Sequence, residues 1–217
     1  MKAKDSPRTK LKILEAAEKL FAEKGFDGAR VDDIAEKAGV NKALIYYYFK
    51  SKRDILDELF SSLIEELAEI GYSLVEGVFD FESMVYKEEN TLSLMGIFYK
   101  FLEDRKDTIR IMMMESLKAS EEKPPLFRFS EILMSDEAER LITELRNKGL
   151  NVDAVDMDEA FIGDFFTGYM PILSFLVYSE KWSKYFGIDK EELKKKFFSV
   201  FQTTHLAHHK AQLMKLK

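Results

Sequence analysis

Apolar residues recur every three or four positions along almost the whole chain, and the strict alternation of a half-buried strand is nearly absent. The first stripe is Ile13, Leu14, Ala17, Leu20 and Phe21. It predicts an amphipathic helix starting at Ser6 or Thr9, both competent caps, with Pro7 well placed inside the earlier start. Gly25 is positioned to end that helix, with Phe26 folding back on its last turn. Two short helices follow, about 31–38 and 42–49. A long fourth opens at Ser51, whose hydroxyl can cap it while Asp54 suits the positive helix end. Ile55, Leu59, Leu63, Leu67, Ile70, Leu74 and Val78 continue along one face, over a length of ~40 Å at ~1.5 Å per residue. Further helices are expected near 82–103, 106–120, 126–147, 157–178 and 190–214, broken at Pro124-Pro125, Gly149-Leu150-Asn151 and Gly187. The expected fold is all-α.

Residues 31–50, VDDIAEKAGVNKALIYYYFK, suit a helix-turn-helix at nearly every position. Two helices meeting through a short turn need a small residue at their crossing, and Ala35 supplies it. The turn needs a residue tolerant of positive φ, and Gly39 supplies that. Ile34, Ala38, Val40, Ile45 and Tyr48 can fill the inner faces, and Asn41 is a natural cap for the second helix. This leaves Lys42, Ala43, Leu44, Tyr46, Tyr47 and Lys50 facing outward. Lysine can reach phosphate or guanine, tyrosine can donate to phosphate, and small apolar groups can touch thymine methyls. A plain helical hairpin would explain the alanine and the glycine, but not three consecutive tyrosines on so short a helix.

Charge distribution changes the picture more than composition does. The net charge of −6 argues against a polyanionic partner, yet residues 1–53 carry 13 Lys/Arg against 8 Asp/Glu, and residues 54–217 carry 20 against 31. A basic head on an acidic body fits a head that meets nucleic acid and a body that does not. With 46% apolar and 33% charged residues over 217 positions, the chain has the makings of a globular core rather than a disordered tract. Cysteine is absent, which excludes disulfides and thiolate metal sites and fits a reducing cytoplasm. The polar N-terminus MKAKDSPRTK lacks the apolar core of a signal peptide. The longest uncharged stretch, Phe165 to Ser179, falls short of the ~20 residues that span a bilayer. A soluble, cytoplasmic protein is expected.

IAEKAGV followed by KALIYYYFKSK, preceded by ILEAAEKLFAEKGF, resembles the signature of the TetR/AcrR family of transcriptional regulators over about residues 9–60. The resemblance implies a helix-turn-helix DNA-binding domain in residues 1–53 and a helical ligand-binding and dimerisation domain in residues 54–217. It implies a sequence-specific regulator, a homodimer on a twofold-symmetric DNA operator, acting as a repressor released by a small-molecule effector. It places Lys42, Ala43, Leu44, Tyr46 and Tyr47 towards the operator, Lys52 on a backbone phosphate and Phe49 in the core. Arg30 stands where the family often has a capping Ser or Thr. Loss of that cap costs ~1 kcal/mol unless Asp32 or Asp33 compensates through the helix dipole, and Arg30 could instead add a phosphate contact.

The body is read from its own residues. Phe161, Ile162, Phe165, Phe166, Tyr169, Met170, Ile172, Leu173, Phe175, Leu176 and Val177 surround one helix almost completely, so it must be buried on two sides, against its own core and against a partner chain. Pro171 cannot donate to the carbonyl of Thr167, which predicts a kink. Phe98, Phe101, Met113, Glu115, Phe161, Asp164, Phe165 and Tyr169 are candidates to line a pocket for an apolar or aromatic ligand. Taken singly each is as readily core, and Glu115 and Asp164 could simply reach water. All three histidines lie together, His205, His208 and His209, and His205 and His209, one turn apart, could share a metal ion. No third ligand is evident, so a solvated or dimer-edge cluster is the plainer reading, and neither metal nor cofactor is expected. The sequence has no GxSxG elbow, HExxH site, phosphate loop or dinucleotide fingerprint, so an enzyme is not expected. The competing reading is a helical ligand-binding or scaffolding protein without DNA binding, against which the basic, aromatic face at 42–50 argues.

Overall fold

The computed structural model describes residues 6–76, 88–118, 124–131, 142–143 and 146–216, and among them every regular element is a helix. In order these are α1 (Ser6–Gly28), α2 (Val31–Ala38), α3 (Lys42–Tyr48), α4 (Lys52–Glu76), α5 (Glu88–Asp104) and α6 (Lys106–Ser116). Residues 125–131 are also helical, and a single 3-10 turn follows at Val152–Ala154. α7 then runs unbroken over Met157–Phe186, and α8 comprises Lys190–Phe201, Gln202–Leu206 and Ala207–Leu216. Val78, the expected helical start at 82–87 and residues 132–141 lie outside the described residues.

By packing, the chain divides into two units: Met1–Leu67 with Asp107–Phe129, and Ala68–Lys106 with Ser130–Lys217. The first is built on one core. Ile13, Ala17 and Phe21 of α1 are fully buried, as are Ile34 of α2, Ile55 and Leu56 of α4, and Ile109 and Met112 of α6. Each such large side chain taken out of water contributes ~1.5–3 kcal/mol. The buried stripe of α4 is wider than the sequence pattern: Leu56, Phe60 and Ile64 join Ile55, Leu63 and Leu67, while Leu59 is only half-buried. α6 stops at Ser116, short of the expected 120. Ser116 Oγ donates to Met112 O at 2.7 Å and accepts from Leu126 N at 2.9 Å, which turns the chain into the next helical stretch.

In the second unit α7 packs on α5 and α8 through Ile172, Leu173 and Leu176. The expected kink at Pro171 takes another form. One wider π turn, Asp164–Tyr169, absorbs the missing hydrogen bond ahead of the proline, and Thr167 Oγ1 donates to Gly163 O at 2.6 Å inside it. α8 carries a second π turn at Gln202–Leu206, packed against the first. By length and composition Met157–Phe186 is apolar enough to cross a membrane. The uncharged stretch is short, but the helix around it is long. A third of its most apolar stretch is buried, with Ile172, Leu173 and Leu176 on the covered side.

Candidate nucleic-acid interface

The hairpin forms for the reasons the sequence offers. Asn41 caps α3, its side chain accepting from Leu44 N at 2.8 Å. Gly39 ends α2 in the left-handed region at φ 66°, ψ 35°. Ile34, Ala35 and Ile45 are buried where α2 crosses α3, and Phe49 is buried at the end of α3. Ser51 and Asp54 cap α4 reciprocally: Ser51 Oγ accepts from Asp54 N at 3.1 Å and donates to Asp54 Oδ1 at 2.8 Å. Arg30 makes no side-chain cap bond at the start of α2. Asp32 and Asp33 stand in that first turn, where a negative charge favours the helix dipole. The carboxyl of Asp33 is held below the usual carboxylate range, first by its hydrogen bond with Lys24.

These elements carry an exposed face. Tyr46 and Tyr47 are 50% and 77% exposed, Lys42, Ala43 and Lys50 are exposed, and Leu44 is half-buried. Beside them lies an open groove of about 460 Å³ whose lining includes Arg30, Lys42, Tyr46, Lys50 and Lys52, and also Asp27 and Asp32. Seven of the eight positions singled out in the sequence, all but Leu44, are thus exposed or line the groove. Two cations are partly committed. Lys42 pairs with Asp32 at 2.8 Å, and that hydrogen bond raises its pKa. Lys52 Nζ donates to the carbonyls of Phe26 and Ala29 at 2.6 and 2.9 Å, which leaves one of its three hydrogens for an outside acceptor. Asp27 and Asp32 were not anticipated at the groove. An acidic residue in a basic head gives no positive signal in a search for cations.

The residues suggested for a ligand pocket do not share one unit. Phe98, Phe101, Phe161, Asp164, Phe165 and Tyr169 belong to the second, whereas Met113 and Glu115 belong to the first. Glu115 is buried and paired with Lys118 Nζ at 2.8 Å. Phe101 has Arg105 over its ring at 5.9 Å, and Phe161 is 37% exposed. A cluster missing from the sequence reading lies in the second unit: Phe175 stacks on Phe197 at 4.0 Å, and Tyr99 meets Phe198 edge-on at 5.2 Å. Among the described residues no three His, Asp or Glu side chains converge as metal ligands. The side chain of His209 lies outside them. His205 Nδ1 is 3.1 Å from Thr167 Oγ1.

A helix-turn-helix with an exposed aromatic and basic second helix is the arrangement with which one class of proteins, DNA-binding transcriptional regulators, enters the major groove. Residues 13–59 match the family model of the tetR family of bacterial regulatory proteins. This is a family of regulators, not of enzymes. Among curated relatives, the HTH-type transcriptional repressor SCO4008 of Streptomyces coelicolor is 47% identical over 66 residues, 30% of this chain and 32% of that protein. The first curated relatives are matched over only 25% to 39% of their length. Solved structures extend the likeness in fold to most of the chain. The fatty acid degradation regulator FadR of Bacillus halodurans aligns with a TM-score of 0.65 at 23% identity, covering 89% of this chain and 96% of that one. FadR of Bacillus subtilis, solved in complex with stearoyl-CoA, aligns with a TM-score of 0.61 at 21% identity, covering 88% and 95%.

Proposed function

We propose that this protein is a homodimeric transcriptional repressor that grips a twofold-symmetric operator through α3 and is released by a small apolar ligand. The carrying observation is the exposed face of Lys42, Ala43, Tyr46 and Tyr47 beside a groove lined by Arg30, Lys50 and Lys52. α3 enters the major groove, with Leu44 at its edge, and the flanking cations take phosphates. Residues 1–53 form the DNA-binding head and residues 54–217 the regulatory body. Large apolar side chains left exposed on α7 and α8, among them Ile162, Phe166, Tyr178, Trp182 and Val200, support a partner chain on that surface. Such a regulator works in the cytoplasm.

The effector is placed among Phe98, Phe101, Phe161, Phe165 and Tyr169, with Asp164 as the polar member. A long-chain acyl-CoA, the ligand of the Bacillus subtilis neighbour, is the first effector to test, since an apolar chain suits such walls. The test is selection of bound sequences from random DNA, followed by release of the selected site with stearoyl-CoA and with apolar and aromatic compounds. Lys42→Ala and Tyr46→Ala should each weaken binding to the selected site about tenfold while melting like the parent, whereas Lys52→Ala should reduce the salt slope by about 0.9. No enrichment from the pool, or unchanged affinity in the Lys42 and Tyr46 variants, refutes the reading and leaves a helical protein that does not bind DNA.

A further inference from the structure

The turn that joins α1 to α2 is held by two lysines from distant parts of the chain. Gly25 departs from helical geometry at φ 74°, ψ 163°. Phe26 then lies against Phe21, ring centroids 5.4 Å apart, and Ala29 is buried. Lys52 bonds the carbonyls of Phe26 and Ala29 and stands 4.4 Å from the centre of the Phe26 ring. Lys118, just beyond the end of α6, lies 5.6 Å from the same ring centre, within reach of a cation–π attraction. It donates to Asp27 Oδ2 at 2.7 Å and pairs with Glu115 Oε2 at 2.8 Å. Glu115 is only 2% exposed, and a carboxylate so buried requires its cation. Burial alone would lower the pKa of Lys118, but its hydrogen bonds with Asp27 and Glu115 prevail and raise it.

We propose that Lys118 is a positioning residue for DNA binding: anchored by buried Glu115, it holds Asp27 and Phe26 and so fixes the turn from which Arg30 and α2 begin. This rests on the DNA-binding reading above. Lys118 acts without touching DNA, and Asp27 carries its effect to the groove that it lines with Arg30 and Lys42.

Asp27 supplies a test by sign. Asp27→Asn removes a negative charge from a surface that meets a polyanion, so long-range electrostatics alone tightens binding. If the carboxylate holds the turn, the same change weakens it. The experiment measures affinity of the full chain for a selected DNA site over a range of salt. Asp27→Asn should bind about tenfold more weakly with an unchanged salt slope and a nearly unchanged melt, its side chain being 81% exposed. The double variant Lys118→Met/Glu115→Gln removes cation and buried anion together. It should lose a similar factor, adding Asp27→Asn to it should change little, and Lys118→Arg should keep most of the affinity. Binding by Asp27→Asn as tight as the parent's, or tighter, overturns the proposal. So does a fall of about one in the salt slope of the Lys118 variant, which would put that lysine on a phosphate. Should the double variant fail to fold, Asp27→Asn decides alone. A parent chain that retains no DNA refutes the DNA-binding reading instead.

Discussion

Gly39 faces open space, with nothing within 4 Å of where its Cβ would be, so the only cost of a side chain there is its φ of 66°. Asn tolerates that left-handed region and a β-branched residue does not. Gly39→Asn should therefore leave the melt of the helix-turn-helix unit almost unchanged, while Gly39→Val should cost ~1–3 kcal/mol. Equal melts for both would show that this turn carries no strain. Tyr99 offers a second test, by pH. Burial first, then the charge and hydrogen bond of Glu103, pushes its hydroxyl up to about 12. Its folded-state pKa thus exceeds the ordinary ~10 of an unfolded chain, so its contribution is complete below pH ~10 and is lost as pH rises through about 12. Stability of the second unit should fall by up to ~2–3 kcal/mol across that window, and Tyr99→Phe should remove much of the fall. A parent and variant with the same alkaline transition would exclude Tyr99 as its source.

The pairing of α7 with α8 depends on two glycines. A Cβ on Gly163 would lie 2.3 Å from His208 Nε2, and one on Gly168 would lie 2.7 Å from His205 Cε1. The imidazoles fill notches that only glycine leaves open. Gly168→Ala should destabilise the second unit by ~1–3 kcal/mol. Combining it with His205→Ala should recover part of the loss in calorimetry, and strict additivity of the two would mean that they do not share this contact. Elements of this kind separate what the sequence reveals from what it hides. The helix-turn-helix was legible because its signals are local: Asn41 and Gly39 act on their immediate neighbours, and Ile34 and Ile45 repeat at helical spacing. The run around Phe165 marked α7 as a helix, but Ile172, Leu173 and Leu176 are buried while Ile162 and Phe166 stay exposed; Pro171 marked a disturbance, but not that a π turn two to seven residues earlier would absorb it. His205 and His208 looked like a loose surface cluster because their partners, Gly168 and Gly163, lie about forty residues away and carry no side chain to notice. Lys118 was hidden for the same reason, since its link to Asp27 spans 91 positions.

At the scale of the whole molecule, one helix-turn-helix presents too little surface for tight binding alone, so two heads on successive major grooves, ~34–36 Å apart, are needed. The candidate dimer surface on α7 and α8 lies in the second unit, as do the proposed ligand contacts at Phe98, Phe165 and Tyr169. The residues proposed to face DNA lie in the first. α4 and the start of α6 both cross the sequence boundaries between the two units. In the proposed mechanism, a ligand that favours one arrangement of the body favours one separation of the heads, and DNA selects another. Thermodynamic reciprocity fixes the consequence: operator DNA must weaken ligand binding by the same factor as ligand weakens DNA binding. For a typical coupling of 1–3 kcal/mol that factor is about 5–150. The prediction is checked by titrating ligand into the free protein and into its complex with a selected twofold site, and by titrating DNA with and without ligand. The two factors should agree, the protein should sediment as a dimer, and a single half-site should bind far more weakly than the pair. A monomer that binds one half-site with full affinity would overturn this mechanism, and a ligand that binds tightly yet leaves DNA affinity untouched would do the same.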